Sequence, residues 1–233
     1  MNQNQKTHHE NPQLILPLVP ETLKSFDLFF PGKNNLVLET LRADPPPQFI
    51  YLYGNKGSGK SHLLEAFTIE ALKQQKRILF LPLRNLLKEK TYLKDWPEFD
   101  AVLIDDIEYL NPELQPDMCH QFNELQSSGT TLIVTSSAPP AALDFNLPDL
   151  KSRMESGLSL KIEALKEDEL ITALMMHAKH MGLALDDKIY EFLLKRLERN
   201  LGTLTQQLKQ IADYSLIARR PVTTAMIKEV LGL

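Results

Sequence analysis

Several things are scarce in this 233-residue sequence, and each scarcity removes a class of protein. A single cysteine, Cys119, excludes an internal disulfide and points to a reducing compartment. No apolar run approaches membrane-spanning length, and no basic-then-apolar signal segment opens the chain, so a cytoplasmic protein without a membrane partner is expected. Positive charge is short as well. Lys and Arg number 26 against 30 Asp and Glu, giving a formal charge of −4, which argues against a protein whose main task is gripping duplex DNA. His and Cys show no metal-ligand spacing, and no internal repeat is present. Cys119 itself reads as helix packing. Glycine is also rare, nine in all, yet Gly54, Gly57 and Gly59 crowd into eight residues.

That stretch, Gly54-Asn55-Lys56-Gly57-Ser58-Gly59-Lys60-Ser61, follows the apolar run Phe49-Ile50-Tyr51-Leu52-Tyr53 and precedes His62-Leu63-Leu64. Glycines let backbone N–H groups turn inward around a phosphate chain, the following helix adds its positive N-terminal end, and Lys60 adds a formal charge. Asn55, Gly57, Ser58, Gly59, Lys60, Ser61 and His62 are therefore the candidate nucleotide-binding residues, with Ser61 placed to ligate Mg²⁺. The bland alternative is a Gly/Ser turn that happens to contain lysine, but a strand on one side and a helix on the other favour the phosphate loop.

Apolar runs at 77–83, 101–104, 131–135 and 158–161 alternate with helical spacing at 61–74, 86–90 and 112–127. Continuous apolar strands belong inside a parallel sheet, so the expected class is α/β, a parallel sheet flanked by helices. Parallel sheets place ligands beyond the carboxyl ends of their strands. The run Ala101-Val102-Leu103-Ile104 ends on Asp105 and Asp106 at that position. Asp105 is expected to hold Mg²⁺ opposite Ser61, and Asp106 either polarises an attacking water or caps the next turn. Pro148 and Asp149 start a short helix that presents Arg153. From Leu165 onward the pattern is helical at 166–181, 186–196, 201–218 and 223–231, a small all-α bundle in which the Met175-Met176-His177 cluster reads as packing.

The opening residues are polar and without periodicity, yet they carry Gln13-Leu14-Ile15-Leu16-Pro17-Leu18. An apolar hexapeptide ahead of any folded element either docks on another protein or packs as an edge strand on its own. Further on, Phe26, Phe29, Phe30 and Pro31 precede the phosphate loop; Phe30 and Pro31 are candidates to wall a purine, and the alternative for these aromatics is core filling.

The hexapeptide resembles the glutamine-led, leucine-rich motif by which bacterial replication proteins bind the DNA polymerase sliding clamp. Three further motifs, Gly59-Lys60-Ser61-His62-Leu63-Leu64, Leu103-Ile104-Asp105-Asp106-Ile107 and Leu147-Pro148-Asp149-Leu150-Lys151-Ser152-Arg153, resemble the DnaA-related branch of AAA+ proteins. The resemblance runs from about Phe26 to the last residue, and the initiator's own N-terminal region and C-terminal DNA-binding domain have no counterpart in it. It implies three parts: a tail with the clamp peptide over 1–20, an AAA+ P-loop domain over 21–164, and a helical lid over 165–233. It further implies ADP or ATP with Mg²⁺ as cofactor, the clamp and the initiator DnaA as partners, and Arg153 as an arginine finger offered in trans to initiator-bound ATP. No strong direct contact with DNA is expected, and self-association stays open.

Two positions depart from the branch. Ser137 stands where an acid follows the fourth strand, and Gly202 stands where an arginine opens the third lid helix. Without that charge the preference for triphosphate should flatten and the protein's own hydrolysis should weaken. The competing reading is a helicase-loader-like ATPase that hydrolyses its own ATP, which the complete set of Lys60, Ser61, Asp105 and Asp106 favours. A passive scaffold would require Arg153 to be dispensable.

Overall fold

The computed structural model describes residues 24–86 and 96–233. The Gln13 to Leu18 hexapeptide and all but the first residue of the helix expected over 86–90 lie outside the described residues. Five strands form one sheet: β1 (Phe49–Tyr53), β2 (Ile78–Pro82), β3 (Ala101–Asp105), β4 (Thr131–Ser136) and β5 (Leu158–Lys161). All pair in parallel, in the order β2-β3-β4-β1-β5.

The apolar runs are continuous because both faces of the sheet are covered. Ile50, Leu52, Leu103 and Ile133 pack with α1 (Asn35–Arg42) and α2 (Lys60–Lys73) on one face. Tyr51, Val102, Ile104 and Val134 pack with α3 (Gln115–Ser128) and α4 (Pro148–Glu155) on the other. β3 and β4 are buried at every position, whereas β5 lies at the edge and exposes most of its side chains. The single helix expected over 112–127 instead begins as a 3₁₀ turn, Pro112–Leu114, before α3. Asn111 caps that turn by accepting from the Glu113 N–H at 3.0 Å, and Pro116, without an N–H, sits in the first turn of α3 where a donor is not needed.

Strand register places the site. Tyr53 is level with Ser136 and Pro82 with Asp105, so the chain leaves β1, β3 and β4 at one edge of the sheet. There the Gly54 N–H donates to the Ser136 carbonyl at 3.2 Å, which fixes the start of the glycine-rich loop.

Four helices follow: α5 (Glu167–His180), α6 (Asp187–Arg196), α7 (Leu201–Ala218) and α8 (Thr224–Leu231). They enclose their own core of Leu174, Leu193, Leu204, Leu208, Ile211 and Ile227. The expected packing role of Met175-Met176-His177 divides: Met175 is 39% exposed, while His177 is turned inward and buried. Asn34 ties together the two segments that flank the strands just before the bundle begins. Its side-chain amide donates to the Glu163 carbonyl at 3.0 Å and accepts from the Glu163 N–H at 2.8 Å, so one buried side chain pins the segment before β1 to the segment after β5. A buried amide satisfied at both ends resists movement, because separating either pair leaves polar atoms unpaired.

Candidate functional site

The glycine-rich loop has backbone angles that only its residue types permit. Gly57 and Gly59 lie at φ +80° and +102°, and a Cβ added to Gly59 would sit 2.6 Å from the Phe29 ring. Lys60 opens α2 and is almost fully buried, its Nζ donating to the Gly54 carbonyl at 2.8 Å and the Asn55 carbonyl at 3.2 Å. Burial pushes its ammonium below the ordinary lysine range, with Asp106, Glu108 and Asp105 acting in the opposite sense. The Ser58 hydroxyl is buried without a hydrogen-bond partner, and the first turn of α2 carries no acid. A hydroxyl without a partner, a lysine held by loop carbonyls and an uncapped helix start are donors that suit an anionic phosphate chain. Asn55 and Gly57 are exposed on the rim of this cradle.

The acids meet the loop from β3. The Ser61 hydroxyl donates to Asp105 Oδ2 at 2.6 Å, and the Thr135 hydroxyl from β4 donates to Asp105 Oδ1 at 2.5 Å. Burial raises the Asp105 carboxyl above the usual range, and the Ser61 and Thr135 bonds oppose that rise. A hydroxyl and a carboxylate this close, both hard oxygen donors, fit Mg²⁺, which would be held by Ser61 and Asp105. Asp106 has left-handed backbone angles, φ +60° and ψ +59°, which Asp tolerates better than most residues. Its side chain makes no capping bond to the following turn; it accepts from Arg84 Nε at 3.0 Å, and the Arg84 guanidinium lies 4.5 Å from the Tyr109 ring centre. Ser137, at the position where the family resemblance predicts an acid, donates its N–H to Glu108 Oε1 at 3.1 Å, and the other Glu108 oxygen is buried without a partner.

Of the aromatics ahead of the loop, Phe29 packs on Gly59. Phe29 is buried against Gly59 and meets His62 edge-on at a ring separation of 5.6 Å, while Phe30 and Pro31 are half-buried. The His62 ring has partners outside the glycine-rich loop. Its Nε2 is 2.8 Å from the Ser25 carbonyl, and its ring faces His177 of α5 at 6.2 Å. Burial lowers the pKa of both imidazoles, that of His177 to about 4.

Gly202 occupies the second position of α7 and is exposed. Its N–H, together with that of Thr203, is capped by Asn200 Oδ1 at 2.9 and 3.3 Å, and the Asn200 amide crowds Gly57, where a Cβ would fall 2.2 Å from Nδ2. The lid therefore meets the phosphate loop through a neutral amide. Arg153 lies on α4, four-fifths buried, paired with Asp149 and hydrogen-bonded to Asn123 Oδ1 at 3.1 Å from Nη2. Those partners are outside the glycine-rich loop, so Arg153 is not assembled with its own chain's cradle. Arg84, Thr135, Asn34, Asn200 and Glu108 went unnoticed in the sequence because each acts across strands or domains; only Asn200, two residues before Gly202 at a helix start, had a local capping signal.

Comparison with known proteins agrees with this geometry. Residues 22–161 match the bacterial DnaA ATPase domain, and residues 167–231 match the lid domain of Hda. An uncharacterised protein of Haemophilus influenzae is 33% identical over 230 residues, spanning 96% of this chain and all of the relative. Domain III of the Thermotoga maritima replication initiation protein DnaA superposes with a TM-score of 0.76 at 22% identity, over 90% of this chain and 96% of that one. A replication initiator DnaA bound to AMPPCP and single-stranded DNA gives 0.68 at 25% identity, over 84% of this chain and 68% of that one. With a phosphate loop on β1, an acid pair on β3 and a four-helix lid in that order, the chain belongs to the DnaA-related AAA+ family and is Hda-like.

Proposed function

We propose that this protein is a negative regulator of chromosomal replication initiation, a nucleotide-bound module that binds the DNA-loaded sliding clamp and stimulates ATP hydrolysis on the initiator DnaA. In this reading residues 1–20 tether the protein to the clamp through Gln13, Leu14, Ile15, Leu16, Pro17 and Leu18, residues 21–164 form the nucleotide-binding domain, and residues 165–233 form the lid. ADP or ATP binds at Asn55, Gly57, Ser58, Gly59, Lys60 and Ser61, with the base toward the Phe29 to Pro31 segment. Mg²⁺ on Ser61 and Asp105, when bound, neutralises phosphate charge. Arg153 is offered to the ATP of the partner, where an arginine on the transferring phosphate accounts for roughly 10³–10⁵ in rate. The protein then works in the cytoplasm as an activator of another ATPase, with weak or no turnover of its own.

The observation that carries the reading is the position of Arg153, on a helix whose contacts lie outside its own cradle. An arginine serving its own nucleotide would need partners in the loop, and an i,i+4 pair with an Asp149 side chain that is 59% exposed would contribute only about 0–1 kcal/mol. The initiator relative bound to AMPPCP supports an adenine nucleotide as the ligand.

The helicase-loader reading retains one supporting observation, the complete set of Lys60 and Ser61 at the start of α2 with Asp105 and Asp106 at the end of β3. The two are separated by the nucleotide that co-purifies with the full chain and by turnover without partners. Tightly held ADP and negligible turnover are expected; robust unaided hydrolysis of ATP would establish the loader instead. Replacing Gln13 and Leu16 by alanine is expected to abolish clamp pull-down, and persistent capture would remove the tether from the account.

A further inference from the structure

Asn200 brings the lid to the phosphate loop with half of its hydrogen-bonding capacity unused. It precedes α7 with extended backbone angles, and its Oδ1 accepts from the N–H groups of Gly202 and Thr203 at 2.9 and 3.3 Å. That cap decides which way the amide faces. Helix N–H groups require an acceptor, so Oδ1 turns to α7, and Nδ2, which can only donate, is left on the side of Gly57. The three atoms nearest to a Cβ added at Gly57 all belong to this amide, with Nδ2 first at 2.2 Å, then Cγ at 2.6 Å and Oδ1 at 3.0 Å. Among the described residues Nδ2 has no hydrogen-bond acceptor.

Gly57 makes the approach possible, because it has no side chain to hold the amide off the loop backbone. The cradle beneath already gathers the Lys60 ammonium and the unpartnered Ser58 hydroxyl. A further donor without an acceptor, seated on the rim of that cradle, is completed by an anion bound in it. No charge at the start of α7 competes for the place. Its first turn, Leu201-Gly202-Thr203-Leu204, is neutral. Arg199 donates to Glu167 Oε2 at 2.8 Å and the Arg196 guanidinium lies 6.0 Å from the Phe192 ring centre, so both nearby cations have their partners within the lid.

We propose that Asn200 is a nucleotide-binding residue contributed by the lid, its Nδ2 donating to a phosphate oxygen of the bound nucleotide. The inference rests on the nucleotide-binding part of the reading above and adds a specificity to it. A neutral amide gains from one phosphate oxygen but adds no Coulombic attraction for the extra charge of a triphosphate, so it treats ADP and ATP alike. Occupancy of the cradle, by either nucleotide, then holds the lid over the loop.

Calorimetric titration of the full chain with ADP and with ATP, each with Mg²⁺, separates the phosphate contact from the helix cap. Serine and aspartate cap helices about as well as asparagine, so Asn200→Ser and Asn200→Asp are expected to unfold at the parent's urea midpoint. Asn200→Ser removes the amide, and it is expected to weaken both nucleotides by about tenfold or more and by the same factor, the size of one hydrogen bond to a charged group. Asn200→Asp turns a carboxylate toward the phosphates and is expected to weaken both further. Affinities for Asn200→Ser within about twofold of the parent would leave Asn200 a helix cap only. That result overturns the proposal even where Asn200→Asp binds poorly, because repulsion needs no hydrogen bond. A loss confined to ATP overturns the equal treatment of the two nucleotides. A parent protein that binds neither ADP nor ATP overturns the nucleotide reading itself, and this inference with it.

Discussion

His177 should make the docking of the lid sensitive to acid. His177 is 2% exposed, and burial holds its pKa near 4, with His62 and His180 nearby acting in the same direction and the Leu28 backbone opposing them. In the unfolded chain the imidazole titrates near 6.5. Between those values the unfolded state binds a proton that the folded state refuses, so stability present above about pH 6.5 is lost as pH falls and levels off below about 4. At about 1.4 kcal/mol per pH unit, the full loss is about 3 kcal/mol, of which about 2 kcal/mol is reached by pH 5. His62, also shifted downward by burial, adds to the same slope. His177→Phe keeps an aromatic ring in the same space and removes the titration. Thermal or urea unfolding of both proteins at pH 7 and pH 5 measures the difference. The parent is expected to lose about 2 kcal/mol more than the variant, which for a chain of this size is about 4–8 °C in Tm. Parallel acid profiles for the two proteins would refute the reasoning.

Other expectations follow from the same geometry. Asn34→Ala removes two buried hydrogen bonds and leaves the Glu163 backbone unpaired, so it should cost about 1–3 kcal/mol in chemical unfolding; a change below about 0.5 kcal/mol would mean that the clamp is dispensable. Gly59→Ala combines a φ of +102° with a Cβ driven into Phe29, and should weaken nucleotide binding strongly in a calorimetric titration, whereas Gly129→Ala, at φ +76° with no neighbour within 4 Å, should lower stability only modestly and leave binding unchanged. Ser61→Ala should reduce the Mg²⁺ dependence of nucleotide binding, because it removes one of two adjacent oxygen donors; an unaltered Mg²⁺ titration would argue for a different ligand pair.

The sheet and lid were legible because their signals are local. Ala101 to Asp105 is a continuous apolar run ending in an acid, and 201–218 is a helix with regular apolar spacing, so both emerge where the pattern puts them. The phosphate loop was legible for the same reason, since eight consecutive residues carry it. What escaped acts at a distance. Arg84 and Asp106 are 22 residues apart, Asn34 and Glu163 are 129 apart, and no periodicity connects either pair. That Phe29 packs on Gly59 was likewise not legible, because a Phe-Phe pair gives no information about which ring faces inward.

The central claim is that Arg153 acts on a neighbouring molecule's ATP. Its most direct test is hydrolysis by ATP-loaded initiator in the presence of clamp on DNA, with the parent protein or Arg153→Ala. The substitution removes a partly buried pair with Asp149 and a bond to Asn123, so the variant should remain folded and keep its nucleotide and clamp affinities. The account predicts that stimulation of initiator hydrolysis is lost; stimulation at the parent level by Arg153→Ala would contradict it.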